Sequence, residues 1–449
     1  HVTTLLGMPP SQRASRTPTY TDIVQVHSSR PPRRPDIQLL RGVAVFAVLL
    51  AHFGAIMPGG FLGVDVFFVI SGFVITMSLY YKASASTGIQ SVLKDFWKAR
   101  FFRLVPALAL VVAGTLVLAV VSLPPRQFND QVEMSLWSLF FAGNIGVEVV
   151  TRGDYFDPGA KENWLLHLWS LGVEEQFYLV FPIIFLTALG LIRRKSLSIA
   201  LVTGGIFTLA LVSFAFAMLN DTESALGLNG LFTESTGLAA LFGYYSPLTR
   251  AWQFALGAIA FLIASRRPES SLQWPGWVAL FALVGSFLFI QTSNLLPGIP
   301  SLIPTVAVAV LLLFPVRFFQ ERHASTAPLQ WLGDRSYSAY LWHWPVWLFL
   351  QTHIQQWWLQ VVLAFGLTLV LSAATFRFIE RPFIARYKVA VVESRSPDNS
   401  SLRDRVVLTP LLLAPLVLGV GIQWLYSELQ DRGALREAPS VPRIQDSVD

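Results

Sequence analysis

A series of twelve apolar runs, separated by short polar or basic segments, limits what this sequence can fold into more than any other feature. A helix needs about 20 apolar residues to cross the hydrocarbon core of a bilayer. Because 53% of the 449 residues are hydrophobic and only 13% are charged, the chain is far too apolar for a soluble globule, and an all-α polytopic membrane helix bundle is predicted. The runs cover residues 37–57, 61–81, 104–123, 132–150, 164–192, 197–219, 251–264, 277–289, 302–318, 332–350, 357–378 and 406–426.

Basic clusters between the runs determine the predicted topology, because cytoplasmic loops are enriched in Lys and Arg. If all twelve runs crossed the membrane, the clusters at residues 193–195 and 266–267 would face outward. The run at residues 132–150 carries Glu133 and Asn144, and treating it as an interfacial or re-entrant external helix returns these clusters to the cytoplasm. The sequence therefore predicts about eleven transmembrane helices in the plasma membrane, with the amino terminus inside and the carboxyl terminus outside.

The polar segments complete the predicted organisation. Residues 1–34, rich in Pro, Ser, Thr and Arg, are expected to form a disordered cytoplasmic tail, followed by a membrane domain over residues 35–385. Residues 386–405 are expected to form a cytoplasmic linker, residues 406–427 an additional transmembrane helix, and residues 428–449 an external tail. The formal charge of +6 falls in short clusters between the runs, which favours a topological role over nucleic-acid binding. The chain has no Cys and no pattern of metal ligands, so no metal is expected.

Arg41 and His52 are ionisable residues within the first apolar run. Eleven helical steps separate them, about 16 Å, so Arg41 is placed near the cytoplasmic surface and His52 well inside the bilayer. Ionisable groups within a membrane are costly and indicate a functional site. For His52 the alternative is an interhelical hydrogen bond that only stabilises the bundle. Since a His side chain suits general acid–base catalysis, His52 is the candidate catalytic residue.

Glu174 is the candidate partner of His52. It lies about 15 Å along the run that enters from the outside, at a depth similar to that of His52, so a His–Glu pair is possible. The carboxylate would orient the ring and stabilise its cation. Glu175 points about 100° away, so only one of the two should face the site, whereas Tyr178 lies one turn later on the same face. The alternative for Glu174 is a structural salt bridge to an Arg.

Arg100 and Arg103 stand three residues apart at the inner end of the third run, with both guanidinium groups on one helix face. Such a pair suits bidentate contacts with phosphates. Anionic lipid headgroups are an equally good alternative from the residues alone. Arg41 lies on the same inner side and would support the same ligand.

Five further residues are weighed as site candidates. Ser71 lies in the run FFVISGF, where the small Ser and Gly suit close helix packing. The alternative for Ser71 is an acyl-bearing nucleophile, but no GxSxG elbow surrounds it. Asp65 is interpreted as an interfacial cap or an acceptor ligand, and Arg250 as a contact to an acidic or sugar acceptor. His167 suits packing or acceptor contact equally well, and the aromatic-flanked His343 is interpreted as structural.

Several long strings give the chain a family resemblance. The opening RPDIQLLRG…LLAHFGAIMPGGFLGVDVFFVISGFVIT resembles the start of the acyltransferase-3 family, membrane proteins that acylate envelope glycans and other acceptors. The strings RFFRLVPAL, HLWSLGVEEQFYLVFP, LTRAWQFALG, DRSYSAYLWHWPV and FIERPF match the same family in order. The resemblance covers residues 34 to about 384. It departs at Gln38 and Leu39, where the family usually has Asp-Gly, and at Gln253, where Glu is usual.

The resemblance implies a membrane O-acyltransferase that takes an acyl group, with acetyl favoured, from cytoplasmic acyl-coenzyme A to a hydroxyl of an extracytoplasmic envelope glycan or glycolipid. The resemblance favours Glu174 over Glu175 as the residue that faces the site. It also implies that Arg41, Ser71, Arg100 and Arg103 bind the donor. Members with an extra final helix often carry an external SGNH-type domain. Residues 428–449 are too few for such a domain, so the expectation is either that the natural chain continues or that this branch of the family lacks the domain. The alternative function is a proton-coupled exporter or flippase, because intramembrane His, Glu and Arg also form proton relays.

Overall fold

The computed structural model describes residues 34–85, 88–151, 163–225, 243–266, 272–291, 298–321 and 323–393, together with positions 421 and 424. Over these residues the chain is helical, and none of them lies in a strand. The α-helices are α1 (Pro35–His52), α2 (Gly63–Ala85), α3 (Ile89–Ser122), α4 (Pro125–Leu139), α5 (Gly143–Thr151), α6 (Trp169–Arg193), α7 (Ile199–Ala225), α8 (Pro247–Ala264), α9 (Trp274–Phe289), α10 (Ile299–Leu313), α11 (Arg317–Gln320), α12 (Ala327–Asp334), α13 (Ser336–His353), α14 (Trp357–Thr375) and α15 (Arg381–Glu393). Short 3₁₀ helices cover Pro58–Leu62 and Leu166–Leu168, and a π-helical turn covers Phe376–Glu380.

Within the described residues, seven stretches are long and apolar enough to cross a membrane. Two shorter apolar helices, α9 and α10, fall below that length. The all-α multi-pass architecture is thus confirmed, whereas the count of eleven spans stays a prediction. The last predicted span, residues 406–426, lies outside the described residues except for two positions. The seven stretches are Pro35–His52, Pro58–Ser84, Ile89–Ser122, Leu166–Arg193, Ile199–Leu219, Pro247–Ala264 and Trp357–Tyr387.

The segment predicted as one external helix over residues 132–150 forms two helices instead, α4 and α5. Phe141, two residues after the last residue of α4, has a positive φ of 55°. Its N–H bonds the carbonyl of Ser138, and the N–H of Ala142 bonds the carbonyl of Trp137, as in a Schellman motif. The prediction of a single helix over residues 132–150 is therefore wrong, and neither α4 nor α5 is among the seven candidate spans of the described chain.

Helices α2 and α8 pack with their backbones in close approach. A Cβ atom at Gly257 would overlap the carbonyl oxygen of Val69, and one at Gly72 would overlap that of Phe254. Small residues allow such approach between membrane helices, where packing replaces the hydrophobic effect as the driving force. The crossing brings the first turn of α8 beside the first turn of α2, which places the ionisable residues of both turns together.

Five helices, α1, α2, α3, α6 and α13, surround a cavity of about 230 Å³. Their apolar side chains form much of its wall, including Phe67, Ile70 and Val74 of α2. The polar and charged groups along these helices therefore have a common interior space in which to meet a ligand.

Candidate active site

The cavity has a strongly basic end. Arg41, Lys82, Arg100 and Arg103 all line it, coming from α1, α2 and α3. The Nε of Arg41 donates to the hydroxyl of Ser336 at 3.1 Å. The three arginines that the sequence analysis assigned to one ligand thus share one cavity, and Lys82 is an addition that it did not assign to the site.

A carboxylate group lies beside this basic end. Glu174 lines the cavity and accepts hydrogen bonds from the hydroxyl of Ser71, at 2.5 Å, and from the hydroxyl of Tyr178. Arg100 reaches Glu174 at 3.4 Å through Nη2 and Glu175 at 2.6 Å through Nε. Its guanidinium carbon lies 3.2 Å from the centroid of the Tyr178 ring. Glu174 therefore faces the cavity as expected, but it forms the Arg salt bridge that was its alternative interpretation.

His52 has a different partner from the one predicted. Its Nδ1 lies 2.9 Å from Nε2 of His343, and the two rings stack with centroids 5.1 Å apart. The Trp344 ring packs edge-on against His52 at 5.0 Å. In the part of the chain that the structure describes, Glu174 contacts groups of the basic end and not His52, so the predicted His52–Glu174 pair is wrong. The helical rise gave a similar depth for both residues, but it could not show which helices are neighbours.

His167 completes a cluster of three histidines. Its ring lies 5.2 Å from the ring of His343, nearly perpendicular to it, and its Nε2 is 3.1 Å from the carbonyl oxygen of Leu341. That oxygen has no helical donor, because the residue four positions later is Pro345, which lacks an N–H. His167 is 4% exposed. The ring thus occupies a hydrogen-bonding position in the α13 helix that proline leaves open.

Ser170 and Tyr340 connect the cavity with the histidine cluster, which we define as His52, His167 and His343. Both line the cavity, and their hydroxyls lie 2.7 Å apart. The Tyr340 hydroxyl donates to the carbonyl of His167 at 2.8 Å, and the Tyr340 carbonyl oxygen is 2.5 Å from Nδ1 of His343. Neither Ser170 nor Tyr340 is among the site residues predicted from the sequence. The spacing of Tyr340 and His343 on one helix face was the available signal.

Asp65 and Arg250, two candidate acceptor contacts, form a buried ion pair with each other. The Arg250 Nη1 lies 2.7 Å from Oδ1 of Asp65, and the Gln253 amide donates to the same oxygen at 2.5 Å. Asp65 is 4% exposed and Arg250 1% exposed, and among the residues that the structure describes neither lines the cavity. The predicted acceptor contacts of these two residues stay a prediction. At position 253, the Gln amide supplies a donor to this carboxylate, whereas a Glu would place a second carboxylate beside it.

Comparison with known proteins assigns most of the chain to the acyltransferase family that its sequence resembles. A family model described as an acyltransferase domain, acyltransferase-3, matches residues 34–377. The chain is 29% identical over 367 residues to peptidoglycan O-acetyltransferase OatA of Listeria monocytogenes, covering 78% of this chain and 55% of that protein. It is 30% identical over 409 residues to O-acetyltransferase OatA of Staphylococcus aureus, with 86% and 63% covered.

A putative peptidoglycan O-acetyltransferase of Bacillus subtilis, YrhL, is 29% identical over 422 residues, which covers 88% of this chain and 62% of that protein. The chain thus spans less than two thirds of the length of these relatives. No solved structure matches the chain significantly.

Proposed function

This chain belongs to the acyltransferase-3 family of membrane enzymes that transfer acyl groups, and we propose that it moves an acetyl group from cytoplasmic acetyl-coenzyme A to a hydroxyl of an extracytoplasmic envelope glycan. The observation that carries the proposal is that Arg41, Arg100 and Arg103 line the same cavity as Ser170 and Tyr340, which lie beside the histidine cluster. Two of the relatives are described as peptidoglycan O-acetyltransferases, which supports a peptidoglycan-type acceptor over a glycolipid.

The donor would occupy the cavity with its phosphates at the basic end. Arg41, Arg100 and Arg103 supply planar guanidinium groups that suit phosphate oxygens, and Lys82 adds a fourth cation. A cavity of about 230 Å³ with a partly apolar wall suits the narrow pantetheine arm, which leaves the adenosine at the mouth. The thioester would then lie at the end formed by Ser170 and Tyr340.

The acceptor would approach from the opposite end of α1. His52 is the last residue of this helix, eleven residues or about 16 Å from Arg41, and the segment after it includes the exposed Ala55 and Ile56. A hydroxyl that enters there reaches His52 without passing the donor phosphates. This separation of donor and acceptor would let transfer take place within the membrane domain.

His52 would act as the general base. Its ring would take the proton of the acceptor hydroxyl while the hydroxyl oxygen attacks the thioester carbonyl carbon. The tetrahedral intermediate would collapse with cleavage of the carbon–sulfur bond, and the coenzyme A thiolate would take the proton back from His52. The products are the O-acetyl ester and free coenzyme A, so atoms and charge balance.

Purified protein in lipid nanodiscs, supplied with labelled acetyl-coenzyme A and soluble peptidoglycan oligosaccharides, tests this proposal. The wild type should release coenzyme A and form alkali-labile acetyl esters on the glycan. His52→Ala should lower the rate by about 10²–10⁴-fold, the usual contribution of general acid–base catalysis, with an unchanged yield of folded protein. His353→Ala is the matched control, because His353 is exposed at the end of α13.

Two outcomes would contradict the proposal. If His52 only stabilised the bundle, His52→Ala would lose about 0.6–2 kcal/mol of stability, and its folded fraction would turn over at the wild-type rate. If the wild type moved a glycan or lipid across proteoliposomes with the proton gradient and left acetyl-coenzyme A intact, the protein would be an exporter or flippase.

A further inference from the structure

Both ring nitrogens of His343 are engaged by protein groups. Nδ1 lies 2.5 Å from the carbonyl oxygen of Tyr340, and Nε2 lies 2.9 Å from Nδ1 of His52. A carbonyl oxygen only accepts hydrogen bonds, so the single proton of a neutral His343 ring is on Nδ1. The Nε2 of His343 is therefore an acceptor.

This assignment determines the tautomer of His52. To bond the acceptor Nε2 of His343, the Nδ1 of His52 has to carry a proton. A neutral imidazole carries only one proton, so Nε2 of His52 is the unprotonated, basic nitrogen. The same hydrogen bond persists after Nε2 has taken a proton, because Nδ1 of the resulting imidazolium still donates to His343.

The surroundings hold the His343 ring in place. The ring is 0% exposed, and the rings of Tyr340 and His167 lie against it at 5.1 Å and 5.2 Å. His167 is itself bonded through Nε2 to the carbonyl that Pro345 leaves open. The Nε2 of His343, which accepts the hydrogen bond from His52, thus has a fixed position, and the His343 ring has a fixed tautomer.

We propose that His343 is a positioning residue that keeps His52 in the tautomer whose Nε2 accepts the proton of the acceptor hydroxyl. This inference rests on the proposed function and assigns the roles within the pair. His343 cannot act as the base in place of His52, since both of its ring nitrogens are already hydrogen-bonded to protein groups. A neutral imidazole here has the place that a carboxylate has in the catalytic triads of hydrolases.

Two amide variants of His343 separate this role from packing. In His343→Gln, the side-chain oxygen reaches the position of Nε2 and still accepts from His52, whereas the shorter side chain of His343→Asn does not reach it. His343→Gln should keep kcat within about tenfold of the wild type. His343→Asn should lose about 10²-fold or more in kcat, because a base in the wrong tautomer loses most of its contribution. The KM for acetyl-coenzyme A should be unchanged in both variants.

Equal kcat values for the two amides, whether both near the wild type or both lost, would overturn the positioning role. A His52→Ala enzyme with normal turnover would overturn the role of His52 as base, on which this inference depends. A wild type that leaves acetyl-coenzyme A intact would overturn the proposed function itself, so the failures are distinguishable. If the amides reduce the yield of folded protein, the wild type decides the question by nitrogen-15 NMR in nanodiscs. The Nε2 signal of His52, identified by its loss in His52→Ala, should be that of an unprotonated nitrogen at neutral pH; a protonated Nε2 would refute the inference.

Discussion

The buried pair of Asp65 and Arg250 allows a quantitative test of its structural role. Replacing Arg250 with Met removes the partner 2.7 Å from the carboxylate and leaves Asp65, which is 4% exposed, with the Gln253 amide on the same oxygen. It also removes the guanidinium that lies 4.3 Å from the Tyr244 ring and 5.2 Å from the Trp169 ring. Breaking a buried ion pair costs about 3–5 kcal/mol, so we expect a loss of that size in Arg250→Met.

The double variant Asp65→Leu with Arg250→Met should recover most of this loss. Replacing both charges with apolar groups of similar size leaves no unpaired buried charge and is often neutral. The free energy of unfolding can be measured by titration with sodium dodecyl sulfate in mixed micelles, followed by the fluorescence of the 14 Trp residues. Additive losses in the double variant would refute the pairing. Wild-type stability in Arg250→Met together with a loss of acetyl transfer would restore its interpretation as an acceptor contact.

Two other predictions concern topology and the donor. Because residues 193–195 are predicted to be cytoplasmic, Lys195→Cys in this Cys-free chain should be protected from an impermeant thiol reagent in intact cells. Ile56→Cys, on the predicted outer side, should be labelled. Labelling of position 195 would overturn the topology. Arg100→Ala combined with Arg103→Ala should weaken acetyl-coenzyme A binding by at least about tenfold, since each charge-assisted hydrogen bond is worth about 1.5–3 kcal/mol. Lys98→Ala, an exposed position on the same helix, is the control, and an unchanged affinity in the double variant would leave the arginines as lipid anchors.

The sequence was sufficient to predict the first two membrane helices and the arginines at the basic end of the cavity. Apolar runs gave α1 and α2 within about five residues at each end, because a membrane helix has to satisfy its backbone internally over a fixed length. The run at residues 104–123 gave the end of α3 but not its start, since the helix begins at Ile89, in a segment too polar to count as an apolar run. Helix spacing also placed Arg100 and Arg103 on one face, and the structure shows both in the cavity. These features depend on local chain geometry alone.

The partners of the ionisable residues were not predictable in the same way. Depth follows from the helical rise, but the direction in which a side chain points depends on which helices are neighbours. His52 and its partner are 291 positions apart in the chain, and Asp65 and Arg250 are 185 apart. Within its own apolar run, each of these residues has no oppositely charged neighbour, and this suggested a functional role for Asp65 and Arg250. The structure shows that the two form an ion pair with each other.

The separation between the basic end and the histidine cluster leads to a last prediction, on the coupling of Glu174 with His343. The carboxylate forms hydrogen bonds with Ser71 and Arg100, whereas His343 bonds His52 and Tyr340, so no hydrogen-bond partner found among the described residues belongs to both sets. Glu174→Gln should lower kcat/KM by disturbing the donor site, and its effect should add to that of His343→Asn within about 0.5 kcal/mol, as expected for independent sites. Residues of one hydrogen-bonded unit would instead show a coupling of about 0.5–3 kcal/mol. Measuring kcat/KM for the wild type, both single variants and the double variant closes the cycle, which remains measurable because neither substitution removes the base. A coupling clearly above 1 kcal/mol would mean that the carboxylate acts on the histidines after all, and that donor binding and base catalysis belong to one connected network.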